Sequence, residues 1–303
     1  MAFDLNHLST AMPEIFLGTA ACLVLVVDTF LNDKRRIVTY ALSLASLLGT
    51  LWLVSLGEGH TQTVLSGAYV RDAMGDLLKG SLLIASFAAF VYAKDYLRVK
   101  GIFRGEYYVL GLFAVLGMMV MISANNFLIA YLGLELLALC LYALVAFNRD
   151  SAKGAEAAMK YFVLGAIASG MLLYGISMLY GATGALDFQG VAQAIDEGRS
   201  EKIILVFGLV FVVIGVAFKF GAVPFHMWVP DIYHGAPTAV TVFLGSAPKI
   251  AAFALAMRLL VDGLSALHAD WQGMLVILAV LSLALGNLIA IAQDNIKRML
   301  AYS

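Results

Sequence analysis

Nine apolar stretches, each near the length that a lipid bilayer demands, follow one another along this 303-residue chain. A helix needs roughly 20 apolar residues to cross a hydrocarbon core. The stretches fall at 13–31, 37–56, 77–97, 107–123, 126–147, 156–180, 202–230, 237–261 and 271–293. Hydrophobic residues make up 62% of the chain and charged residues 13%, with a mean hydropathy of +0.92. Such a composition belongs to an all-α, polytopic membrane protein and excludes a water-soluble domain of this length. The stretch 202–230 is too long for one straight helix across a bilayer, so a break is expected inside it.

The same composition excludes several functions. A net charge of -1 gives no basic surface for nucleic acid. Cys22 and Cys140 both lie in apolar runs, without CxxC spacing or a nearby His, so no metal or iron–sulfur site is expected. No Gly-rich nucleotide loop follows a strand pattern. The first apolar run is too long for a signal-peptide core and lacks a basic leader, so it reads as a retained helix.

Orientation follows from the loops. The odd-numbered connections and adjoining span ends carry Lys34, Arg35, Arg36, Lys94, Arg98, Lys100, Arg104, Arg149, Lys153, Lys297 and Arg298; the even-numbered ones carry only Arg71, Arg199 and Lys202. Basic loops stay in the cytoplasm, so the N-terminus is expected outside. After the ninth span, Asp294 to Ser303 reads as a cytoplasmic turn and the start of another apolar segment, as in a truncated chain.

Charges at bilayer depth are costly and mark ion pathways. Glu135 lies near the middle of the fifth span, Lys219 of the seventh and Lys249 of the eighth, directly after Pro248. Gly221, Pro224 and Pro230 follow Lys219 and mark the expected helix break, where loosened backbone can line a cavity. His226 lies seven residues past Lys219, roughly 10 Å further along if helical. A carboxylate and a lysine at one depth can pair and stay charged, and loosening such a pair lets the lysine release its proton. Glu135 and Lys219 fit that scheme if spans five and seven are neighbours. The competing reading is a helix–helix fastener. For His226 it is a hydrogen bond to a carbonyl freed by Pro230.

Lys160, four residues after Glu156, either snorkels to the cytoplasmic interface or serves a proton inlet. Arg258 and Lys79 are expected to snorkel, and Glu14 and Asp28 to be interfacial. Trp228, Tyr233 and Trp271 read as interfacial aromatics. Met118, Met119 and Met121 read as packing. His7, His60, His234 and His268 fall in loops and receive no role.

These residues carry a specific resemblance that covers nearly the whole chain. Lys219-Phe220-Gly221-Ala222-Val223-Pro224-Phe225-His226-Met227-Trp228-Val229-Pro230-Asp231 resembles the broken seventh helix of the antiporter-like membrane subunits of respiratory complex I. Gly133-Leu134-Glu135-Leu136 resembles their fifth-helix glutamate motif, and Asn295 to Ser303 the start of their tenth helix. His234-Gly235-Ala236-Pro237-Thr238 and Ala247-Pro248-Lys249 resemble the subunit N branch more than subunits M and L or the multisubunit sodium/proton antiporters. His234 departs from the Glu or Gln common there.

The resemblance implies fourteen helices: three leading ones, two inverted five-helix repeats and a last one. This chain would then hold a three-helix segment at 1–106, a first complete repeat at 107–262, and helix 9 with the start of helix 10 at 263–303. Glu135 and Lys219 would form a modulating ion pair, Lys249 would pass protons along a polar axis, and Lys160 and His226 would lie near a cytoplasmic inlet. The implied function is proton translocation by a non-redox subunit of NADH:quinone oxidoreductase without a catalytic site of its own, in a bacterial inner membrane. NADH, FMN, iron–sulfur clusters and quinone would reside in partner subunits, and this chain would bind none of them. Its partners would be the other membrane subunits and the lipid bilayer. A sodium/proton antiporter subunit and a purely structural membrane module are the alternatives.

Overall fold

The computed structural model describes residues 9–32, 35–57, 59–198 and 201–303; His7, Lys34 and Arg199 lie outside them. Nine helices long and apolar enough to cross a membrane are present among the described residues. The first three are α1 (Met12–Thr29), α2 (Ile37–Ser55) and α3 (Ala73–Val99). A hairpin of β1 (Gln62–Val64) and β2 (Tyr69–Arg71) joins α2 to α3, with Thr63 opposite Val70. Then follow α4 (Glu106–Ser123), α5 (Phe127–Val145), α6 (Ala152–Thr183), a short α7 (Phe188–Asp196) and α8 (Lys202–Phe220). The chain continues through α9 (Trp228–Gly235), α10 (Thr238–Gly245), α11 (Ala247–Ala256), α12 (His268–Leu281), α13 (Asn287–Ile291) and α14 (Ile296–Tyr302). Wide π-type turns occupy Met257–Asp262 and Ser282–Gly286.

Local chemistry explains the helix starts. The side chains of Asp72, Asn126, Ser151 and Asp187 each accept a backbone N–H from the first turn of α3, α5, α6 and α7. Pro13 opens α1, where its missing N–H costs nothing. The spans follow the apolar runs closely, except that the run at 202–230 is helical only as far as Phe220 before its break.

α4 forms the centre. Leu112, Val115, Met118, Met119, Met121 and Ile122 on it are all fully buried, so the Met-rich stretch is packing. α4 and α5 approach to backbone contact: a Cβ on Gly117 would lie 2.7 Å from the Gly133 carbonyl, and one on Gly133 2.8 Å from the Gly117 carbonyl. Small residues permit such contact between membrane helices. By contrast, only Trp271 on α12 and Gly286 just beyond it are buried between His268 and Ile291.

Three charges, Glu14, Lys79 and Arg258, differ from the interfacial reading. Lys79 is 1% exposed and its Nζ lies 2.6 Å from Oε1 of Glu14, itself 8% exposed. Between them the Tyr69 hydroxyl donates to Glu14 Oε2 (2.8 Å) and accepts from Lys79 (3.1 Å). Burial, then the Glu14 charge, hold the Tyr69 phenol far above its usual range, so it remains a donor. Arg258 is 3% exposed and does not snorkel. It forks onto Asp72 (2.8 and 2.9 Å) and also reaches Asp262 (3.0 Å) and the Ile122 carbonyl (2.8 Å). Burial alone would raise Asp72, but the Arg258 contacts hold its carboxyl below the usual range. Asp28 is half-buried and accepts the Thr39 hydroxyl. A snorkelling charge needs no partner; Glu14, Lys79 and Arg258 each found one on a segment far away in the chain.

Candidate functional site at two broken helices

α8 ends because Gly221 adopts a left-handed conformation (φ +73°). A side chain there would strain the backbone and bring its Cβ within 2.7 Å of Val229 Cγ2. Residues 222–227 run without helix, across a cis Val223-Pro224 peptide, and α9 restarts at Trp228. Gly221 and Pro224 therefore sit in the break. Pro230 does not: it occupies the first turn of α9, where a missing N–H is tolerated.

The eighth span is broken as well. α10 stops at Gly245, Ser246 turns away from helical geometry (φ -111°, ψ -92°), and α11 begins at Ala247. This differs from the single continuous span expected at 237–261. Pro248, just inside the new helix, is the available signal.

The two breaks place Lys249 against the end of α8. Its Nζ donates to the carbonyls of Lys219 (3.1 Å) and Phe220 (3.0 Å). Their carbonyls are among the last four of a helix and lack intrahelical donors. A cation there also meets the negative end of the helix dipole. Lys249 Nζ lies 5.3 Å from the centre of the Trp228 ring. A cavity of about 20 Å³, room for one water, is lined by Leu134, Leu137, Tyr161, Lys219, Trp228 and Lys249 among others.

Glu135 and Lys219 do not form a direct ion pair among the described residues. α6 packs against both α5 and α8, and its Ser169 hydroxyl donates to the Glu135 carboxylate. The Tyr131 hydroxyl lies 3.1 Å from the same Ser169 oxygen. The Glu135 charge still acts on Lys219 through space, and the two ammonium groups repel one another. Sequence reasoning does not find Ser169, because nothing in a Ser on an apolar helix marks the carboxylate it will meet.

His226 does not use Nδ1 to bond a freed carbonyl. That atom is buried without a partner among the described residues, at a cavity of about 60 Å³ shared with Gly221, Val223, Pro230, Ser282 and Tyr302. Lys160, 44% exposed, pairs with Glu156 (2.8 Å) and Asp231 (3.0 Å), and Asp231 pairs with Arg298 (2.6 Å). Burial would raise Asp231, but Lys160 and Arg298 hold it below the usual carboxylate range. Asp231 is a functional candidate that sequence reasoning missed. Trp228 and Trp271 are buried rather than interfacial, and Tyr233 is half-buried.

Among the described residues no group of three or more His, Cys, Asp or Glu could hold a metal. The arrangement instead offers two interior ammonium groups, a carboxylate in their field, and backbone opened at two points beside a water-sized cavity. Such groups can take up, hold and pass on a proton.

Residues 124–303 match the family model described as NADH:quinone oxidoreductase/Mrp antiporter, transmembrane. The chain is 57% identical over its whole length to NADH-quinone oxidoreductase subunit N of Thioalkalivibrio sulfidiphilus, covering 64% of that protein. It is 59% identical over 98% of its length to the subunit N of Herminiimonas arsenicoxydans, covering 61% of it. The chain thus spans less than two thirds of these relatives. A chain of respiratory complex I from Thermus thermophilus with bound aureothin superposes with a TM-score of 0.81 at 31% identity, over 96% of this chain and 61% of that one.

Proposed function

The chain belongs to the NADH:quinone oxidoreductase/Mrp antiporter membrane family, and from that premise we propose that it acts as a proton-translocating, subunit N-type component of an NADH:quinone oxidoreductase. The observation that carries this reading is the meeting of two lysines at a broken helix, where the Lys249 ammonium sits on the Lys219 carbonyl. Neither lysine has a carboxylate within ion-pairing distance among the described residues. The charge on Lys219 feels the Glu135 carboxylate, and the charge on Lys249 feels Lys219. A proton arriving on one lysine in its neutral amine form disfavours the charge on the neighbouring ammonium and drives that ammonium's proton onward. Electron transfer elsewhere in the complex would supply the movement or charge change that alternates the two states.

Lys160 and Asp231, at the end that carries the basic loops, and His226, between that end and Lys219, would lie on the inlet side. That end is the cytoplasmic one in this reading, with the N-terminus periplasmic in a bacterial inner membrane. The residues at 107–262 would form one antiporter-like repeat. The chain would have no redox site of its own, and NADH, FMN, iron–sulfur clusters and quinone would be held by partner subunits. The relatives' names favour this reading over a sodium/proton antiporter subunit.

The test is Lys219→Ala in the full-length gene, with proton pumping and NADH:quinone activity measured together in membranes. Loss of both in an assembled complex is expected. Intact pumping would make the lysine structural and the reading wrong.

A further inference from the structure

The broken end of α8 leaves carbonyls that a continuous helix would satisfy internally, and all four are partnered. Ala222 N–H donates to Ala217 (2.9 Å) and Gly221 N–H to Phe218 (3.0 Å). Lys249 takes Lys219 and Phe220. The Trp228 indole N–H adds a second bond to Phe218, at 3.0 Å. Trp228 is 3% exposed and stacks on Tyr161 of α6 (4.9 Å between ring centres, 11°) and on Phe218 of α8 (5.3 Å, 27°). The Lys249 ammonium lies over its ring. One indole therefore touches the broken helix end, the helix that carries Ser169, and the ammonium of the eighth span.

We propose that Trp228 is a positioning residue for the two lysines: its N–H pins the end of α8 and its ring face seats the Lys249 ammonium, keeping that ammonium on the carbonyls of Lys219 and Phe220. The proposal rests on the function proposed above. Its physical basis is that no anion lies within ion-pairing distance of Lys249 among the described residues. The cation is stabilised only by carbonyl dipoles, the helix end and an aromatic face, all of which depend on close placement. An indole stacked against two other rings and hydrogen-bonded at its edge has little freedom to rotate away. Removing the N–H leaves the Phe218 carbonyl with one donor and frees the ring to slide, and Lys249 then loses its seat.

The experiment is carried out on the assembled complex from the full-length gene, with its amount quantified in each membrane preparation. Trp228→Phe, and replacement of Trp228 by benzothienylalanine (the same shape without an N–H), are compared with Lys249→Met, Lys219→Ala and the double variant Trp228→Phe/Lys249→Met. Losing a buried hydrogen bond of this kind predicts roughly a threefold to tenfold fall in pumping per assembled complex for both Trp228 replacements. The double variant should be no worse than Lys249→Met alone, because both act through one ammonium. Normal pumping with benzothienylalanine overturns the proposal, as does a double variant whose losses multiply. If Lys219→Ala and Lys249→Met pump normally, the proposed function itself fails. If they lose pumping while the Trp228 replacements keep it, only this inference fails.

Discussion

Glu14→Gln should destabilise the protein by several kcal/mol, and adding Lys79→Met should restore most of the loss. Lys79 is 1% exposed, and in the single variant its ammonium keeps only neutral partners among the described residues: the Tyr69 hydroxyl at 3.1 Å, the Tyr69 ring at 5.2 Å and the oxygen of the new amide. Breaking one side of a buried ion pair costs about 3–5 kcal/mol. A ceiling comes from making the survivor neutral at pH 7, about 4.6 kcal/mol for a lysine and about 3.7 kcal/mol for a glutamate. Lys79→Met alone should cost slightly less than Glu14→Gln, because the remaining carboxyl keeps the Tyr69 O–H at 2.8 Å. With both charges gone, the new side-chain amide and the Tyr69 hydroxyl can still bond, and the residual cost should be about 1 kcal/mol. The assay is the midpoint of SDS-driven unfolding of the purified protein in mild detergent, followed by tryptophan fluorescence. A double variant that costs the sum of the singles would show no coupling and refute the reasoning.

Three other outcomes are expected. Gly221→Ala should cost about 1–2 kcal/mol from the left-handed backbone alone, with more from the Val229 contact, and lower pumping; unchanged stability and pumping would contradict the described break. Glu135→Gln should weaken pumping while the complex assembles, and normal pumping in quantified complex would remove Glu135 from the path. Asp72 has a depressed folded pKa, so its stabilising contribution is complete above its unfolded value of about 3.9 and vanishes as pH falls through the lower folded value. Heat stability measured from pH 6 down to pH 3 should therefore fall less steeply in Asp72→Asn than in the parent protein; parallel slopes would deny the Arg258 contact its role.

Hydropathy made the nine spans legible, because each helix in lipid must supply its own apolar length. Gly221 and Pro224 made the first break legible for the same local reason. The second break was harder: Pro248 is compatible both with a kinked continuous helix and with a new helix start, and only the turn at Ser246 decides. The hairpin at 62–71 is too short to rise above a loop in sequence. Glu156 and Lys160, one turn apart, were a legible pair, but ion-pair partners distant in the chain were not. Glu14 meets Lys79 and Asp72 meets Arg258 across other helices, and no local pattern records which segments tertiary packing brings together. Trp228 and Trp271 fall near span ends in sequence, as interfacial aromatics do, but helix packing covers them. The depth of Glu135, Lys219 and Lys249 was readable; that Lys249 would reach the Lys219 backbone was not, since this needed both breaks at once.

The Gly117–Gly133 contact divides the protein mechanically. Where two backbones already touch, no side chain remains to compress or rotate, so α4 and α5 behave as a stiff keel. The body of α8 is welded to α6 in the same way, Gly175 against Gly208, but the chain is interrupted by turns beyond it at Gly221 and again at Ser246. Any strain delivered to this protein by a neighbour is therefore taken up where the lysines are, while the helix that carries Glu135 stays a fixed reference against which their displacement is felt.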